Sequence, residues 1–153
     1  MLETPHVALG AVIAKAIPNP LISIPLSFVS HFFLDMTPHW NPHLNTELKQ
    51  KGKLSKQTLL IIGLDLASTI LLTGYFANKS VPDTKLVTNI VLCSLASILP
   101  DVVEGPYFLL GWRNKFIEKW VKYQKMIQVD ANLFWGLVTQ IITLGACFFY
   151  LSI

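Results

Sequence analysis

Residues 7–35 read VALGAVIAKAIPNPLISIPLSFVSHFFLD. Whether this stretch crosses a membrane once or doubles back decides the fold. Residues 7–17 are apolar apart from Lys15, and residues 21–34 form a second apolar run. An eleven-residue helix rises only about 16 Å, well short of the roughly 30 Å hydrocarbon core of a bilayer. Either residues 6–35 make one kinked span, or Pro18-Asn19-Pro20 is the turn of a hairpin of two short helices. Three turn-forming residues in succession favour the hairpin, which returns the N-terminal segment to the side of Asp35. Irregular backbone at that depth requires other protein or water around it.

The composition supports a membrane setting. The chain has 153 residues, 52% hydrophobic and 14% charged, with a mean hydropathy of +0.51. A soluble domain carries roughly 25% charged residues, so the polar surface of a water-soluble globule is missing. The length fits one integral membrane domain, 1–153. A net charge of +3, dispersed among loops, argues against a nucleic-acid partner. Cys93 and Cys147 lie in apolar runs and read as small buried hydrophobes, with no disulfide expected between them. Only Glu3 is charged among the first five residues, so no basic segment of a cleavable signal peptide is expected.

Further along, residues 41–56 read as a polar loop with four lysines, and residues 57–77 as a full span broken only by Asp65. A second span runs from Thr84 or Lys85 to about Pro100, where Asp101-Val102-Val103-Glu104-Gly105-Pro106 is expected to break it. Tyr107 to Trp112 then reads as a short interfacial segment. Residues 113–128 place Phe116, Ile117, Trp120, Val121 and Ile127 on one helical stripe and Arg113, Lys115, Lys119, Lys122 and Lys125 opposite. That pattern is a basic amphipathic helix for an anionic lipid surface. Residues 131–151 form the last span. The expected fold is therefore all-α: a polytopic bundle of three full spans, an N-terminal hairpin and one interfacial helix.

Topology focuses the chemistry. The loops at 41–56 and 113–128 hold most of the basic residues, which places them on the cytoplasmic side and residues 78–85 outside. Asp35, Asp101 and Glu104 then emerge on the cytoplasmic side, Asp65 lies about 12 Å into a helix entering there, and the hairpin returns His6. His31 and Asp35, at i and i+4, share a helical face, while Pro38 breaks that helix before His39. Imidazoles and carboxylates are metal-ligand types, so His6, His31, Asp35, Asp101 and His39 are candidate ligands. His39 is the weakest, because Pro38 is expected to turn it toward the headgroups. Asp65 and Glu104 are candidates for a general base; Asp65 has a rival role as a structural hydrogen-bond acceptor or partner of Lys15. His6 is expected just before its helix, and His43 in a loop. Gln140 is expected to bond across helices.

Three pieces resemble the bacterial membrane-bound metal-dependent hydrolase family. They are His6 before Ala8-Leu9-Gly10, Ser30-His31-Phe32-Phe33-Leu34-Asp35 with Thr37-Pro38, and Leu99-Pro100-Asp101. Members are small inner-membrane proteins distantly related to zinc-dependent phospholipase C. The resemblance implies a divalent metal, zinc foremost, on His6, His31, Asp35 and Asp101, and hydrolysis of a phospholipid or other amphiphilic phosphoester. In the family the Leu-Pro-Asp element precedes the Ser-His-x-x-x-Asp element; here it follows, which leaves the number of metals open. The alternative expectation is a non-enzymatic membrane protein whose acids and imidazoles form a structural metal clip or a metal- or proton-transport site.

Overall fold

The computed structural model describes residues 1–153 and is all-helical. Its elements are α1 (Glu3–Ala16), α2 (Pro20–Asp35), α3 (Leu44–Lys51), α4 (Lys56–Lys79), α5 (Thr84–Leu109), α6 (Lys115–Ile127) and α7 (Leu133–Ser152). Three of them, α4, α5 and α7, are long and apolar enough to cross a membrane. Leu60, Leu64, Leu71, Ile141, Ile142 and Phe149 face outward from α4 and α7, as expected of helices whose solvent is lipid.

The hairpin is present, and α1 is its buried arm. Helices α2, α4, α5 and α7 surround α1, and Pro5, His6, Val7, Ala8, Gly10, Ala11, Ile13 and Ala14 are all buried. Small side chains allow that encirclement: a Cβ on Gly10 would stand 2.8 Å from the Cys93 carbonyl oxygen and 3.0 Å from Ser94 Cα. Close helix approach of this kind replaces hydrophobic driving force inside lipid. Ala11 and Ala14 join Phe76, Ile90 and Cys93 in the apolar core. Both cysteines are free and buried.

A helix that starts and stops inside a bundle cannot satisfy its terminal amides and carbonyls with water. Neighbouring side chains do so instead. At the start of α1, Asp65 of α4 accepts the Glu3 amide (2.6 Å) and the Thr4 amide (3.1 Å), and Gln140 of α7 accepts the Leu2 amide (2.9 Å). At its end, Asn89 of α5 donates to the carbonyls of Ala14 (3.0 Å) and Ile17 (3.2 Å) and accepts the Ser23 hydroxyl (2.9 Å). One amide thereby closes the Pro18-Asn19-Pro20 turn onto α5. Asn19 itself caps α2 by accepting the Leu21 amide.

Three local expectations need correction. Helix α5 does not break at Asp101 but continues through Pro100 and Pro106 to Leu109. A proline removes one amide donor and kinks a helix without necessarily ending it; neighbours brace the turn around Pro100, where His31 binds the Ser97 carbonyl and Trp120 Nε1 donates to the Pro100 carbonyl (3.0 Å). His6 lies within α1 rather than before it, because the Asp65 cap lets the helix begin at Glu3. The 41–56 loop contains the short helix α3, entered at His43, closed by Gly52 at φ 68° and braced by a Lys51–Glu47 pair at 3.0 Å. Helix α6 is present as expected; Ile117 and Val121 of its apolar stripe, together with Gln124, are buried, while Phe116 is exposed.

Candidate metal centre

Helix α2 carries His31 and Asp35 on its buried face, both fully enclosed, with His31 Nε2 3.5 Å from Asp35 Oδ2. Helix α1, held parallel to α4 and α7 by Asp65 and Gln140, brings His6 Nε2 to 3.4 Å from Asp35 Oδ1. The His6 and His31 rings stack with centroids 4.1 Å apart. One ligand atom from each of His6, His31 and Asp35 lies within 4.8 Å of the others, so this buried trio could hold a metal ion. Helix α5 adds Asp101, whose Oδ1 is 3.5 Å from His31 Nε2 and whose side chain is partly exposed.

His39 does not turn out to the headgroups. It is fully buried, with Nε2 3.7 Å from Asp35 Oδ1. Pro38 ends α2 as expected, but the chain beyond it pairs with the segment between α6 and α7: His39 donates its amide to the Val129 carbonyl (3.1 Å) and accepts the Ala131 amide (2.8 Å). Thr139 donates to the Pro38 carbonyl (2.7 Å) and Gln140 to the Trp40 carbonyl (2.9 Å). Gly136 makes room for this loop, since a Cβ there would meet the His39 carbonyl carbon at 2.8 Å.

The hydrogen bonds fix which ring nitrogens face inward. His31 Nδ1 lies 2.8 Å from the Ser97 carbonyl and His39 Nδ1 lies 2.8 Å from the Thr37 carbonyl. A carbonyl only accepts, so each Nδ1 bears a proton, and the neutral form of either ring directs its Nε2 lone pair at Asp35. A lone pair facing a carboxylate repels it unless a positive charge lies between them or the ring is itself cationic. Burial holds His39 below the ordinary imidazole pKa, which favours the neutral ring. His6 has no hydrogen-bond partner on either nitrogen. Asp35 is met by the Met1 amino group and by Gln128 Nε2 at 3.3 Å. Imidazoles oriented by backbone carbonyls, carboxylates between them and an orphaned ring make a donor set that fits a divalent metal.

Asp65 stands apart from this trio. Its two oxygens take the Glu3 and Thr4 amides and the Thr4 hydroxyl (2.6 Å), which is the structural role weighed against catalysis. Glu104 lies on the wall of a cavity of about 240 Å³ beside the cluster, and its Oε1 has no partner. Glu3, Asp101 and Gln124 share that cavity with apolar Ile98 and Phe108. Glu3, Gln124 and Gln128 were not singled out from sequence. Gln124 could have been, since it continues the inward stripe of Ile117 and Val121 with a polar side chain. Neither a family model, nor a curated protein, nor a solved structure matches the chain.

Proposed function

We propose that this chain is a metal-dependent hydrolase embedded in a bacterial inner membrane, acting on a phospholipid or other amphiphilic phosphoester at the cytoplasmic face. The observation that carries the reading is the orientation of the imidazoles: carbonyls of Ser97 and Thr37 hold the Nδ1 protons of His31 and His39, and both Nε2 atoms face Asp35 beside the unpartnered His6. His6, His31, Asp35, His39 and Asp101 would hold the ion, and zinc suits that mixture of nitrogen and oxygen donors. When bound, zinc brings the pKa of a coordinated water toward neutrality. The short motifs shared with the membrane-bound hydrolases support the same assignment.

The chain's own residues supply the rest. Glu104 is the base in this reading, because Asp65 is committed to the α1 cap while Glu104 keeps an unpartnered oxygen on the cavity wall. Ile98 and Phe108 offer the apolar part of an amphiphile a surface on the same cavity. Protein purified in detergent is expected to carry zinc, to lose it on His31→Ala, and to release product from a fluorogenic phosphoester lipid in a chelator-sensitive manner. Wild-type protein free of metal after zinc loading would end the reading. One observation favours a structural clip instead: His6, His31, Asp35 and His39 are all fully buried, as in closed sites. Tightly held zinc without turnover of any phosphoester would select that alternative.

A further inference from the structure

The polar atoms of the cavity beside the cluster are unbalanced. Glu3 Oε2, Glu104 Oε1 and Gln124 Oε1 are buried acceptors without a donor. Glu3, Asp65 and Asp101 line this one cavity, and Asp65 already accepts the Glu3 amide. Gln124 is almost fully buried; its Nε2 donates to Asp101 Oδ1 at 2.9 Å, so its orphaned oxygen stays on the cavity side of the same amide. Of the cations on the cavity wall, the Met1 amino group is paired with Asp35, and Lys125 is paired with Asp130 at 2.5 Å. A pocket lined by carboxylates and unpartnered acceptors calls for a cation, and one built only from oxygen selects a hard one.

We infer that Glu3, Asp101 and Gln124 form a second cation site, for a hard divalent ion of the Mg²⁺ or Mn²⁺ class, next to the imidazole centre. Asp101 is the shared member: its Oδ1 meets both His31 Nε2 and Gln124 Nε2. The two sites differ in chemistry, one rich in imidazole and the other all oxygen, so each should select its own metal. Glu104 borders the second site and remains the base of the proposed reaction. The site rests on the existence of the metal centre only through Asp101 and not on hydrolysis.

Protein in detergent, stripped and reloaded with zinc, is titrated with Mn²⁺ while free Mn²⁺ is followed by electron paramagnetic resonance and zinc by elemental analysis. Wild-type protein is expected to bind Mn²⁺ stoichiometrically without releasing zinc. Glu3→Gln and Gln124→Leu should each weaken Mn²⁺ binding by about tenfold or more with zinc retained, which also reports that they fold. His31→Ala should lose zinc and keep Mn²⁺. Absence of Mn²⁺ binding by the wild type overturns the inference, as does Mn²⁺ binding indifferent to both substitutions. Concerted loss of zinc and Mn²⁺ in Gln124→Leu also overturns it, since the two would then be one site. Mn²⁺ bound by a protein that takes no zinc would refute the proposed function and leave the second site standing.

Discussion

Replacing Asp65 by Ala removes the acceptors for two backbone amides at the start of α1, those of Glu3 and Thr4, and for the Thr4 hydroxyl. In water such a cap contributes about 1 kcal/mol, because solvent takes over the freed amides. Here α1 is enclosed by four helices, and each orphaned amide costs about 1–3 kcal/mol. The carboxylate also opposes the positive end of the α1 dipole, adding roughly 0.3–1 kcal/mol. The Thr4 hydroxyl retains a longer bond to the Asp65 carbonyl oxygen at 3.4 Å, so it adds little. Asp65→Ala is therefore expected to destabilise by about 2–7 kcal/mol. Asp65→Asn, which keeps one acceptor, should lose about 1–3 kcal/mol, and Thr4→Val about 1 kcal/mol. Denaturation in mixed detergent micelles, followed by circular dichroism, measures all three. An Asp65→Ala protein as stable as wild type would refute the capping argument. Unchanged stability with abolished phosphoester turnover would move Asp65 to the role of base.

Other positions carry sharper sign tests. Gly10→Ala forces a Cβ against the α5 backbone and should cost about 1–3 kcal/mol. Gly63→Ala and Gly74→Ala on α4 meet nothing within 4 Å and should be neutral or stabilise by up to about 1 kcal/mol. Asn89→Leu leaves the Ala14 and Ile17 carbonyls without partners, while the Ser23 hydroxyl keeps its bond to the Asn19 carbonyl (3.1 Å); a loss of about 2–4 kcal/mol in the same denaturation assay is expected. His39 is held neutral by burial, with its pKa below the ordinary 6.5. The unfolded state then takes up a proton that the folded state refuses, so its contribution to stability is full above pH 6.5 and declines as pH falls below it. A pH series of thermal midpoints should show this decline, reduced in His39→Gln.

Much of the architecture is legible because bilayer physics narrows the choices. The helices α4, α5 and α7 stand out by length and hydropathy, and Pro18-Asn19-Pro20 marks the hairpin. Charge-derived topology brings His6, His31 and Asp35 to one end of the bundle. What escapes is whatever depends on a distant partner. Helix α3 is short and polar, and a Lys51–Glu47 pair and a Gly52 cap hold it. The prolines of α5 read locally as breaks because the Trp120 indole that meets the Pro100 carbonyl lies on α6. His39 looks expendable until residues 129–131 pair with it. Buried amides such as Gln124 have no periodic signature of their own, only the oddity of a polar residue on an inward stripe.

The caps on α1 also constrain assembly. Its first amides rely on α4 and α7, and its last carbonyls rely on α5, all of which follow it in the chain. At 14 residues, or about 21 Å of rise, it cannot cross the bilayer alone and would carry bare backbone into lipid if it entered early. The segment translated before its partners must therefore wait for them. The central column of the bundle is seated last, like a keystone, and His6, His31 and Asp35 meet only when insertion is finished.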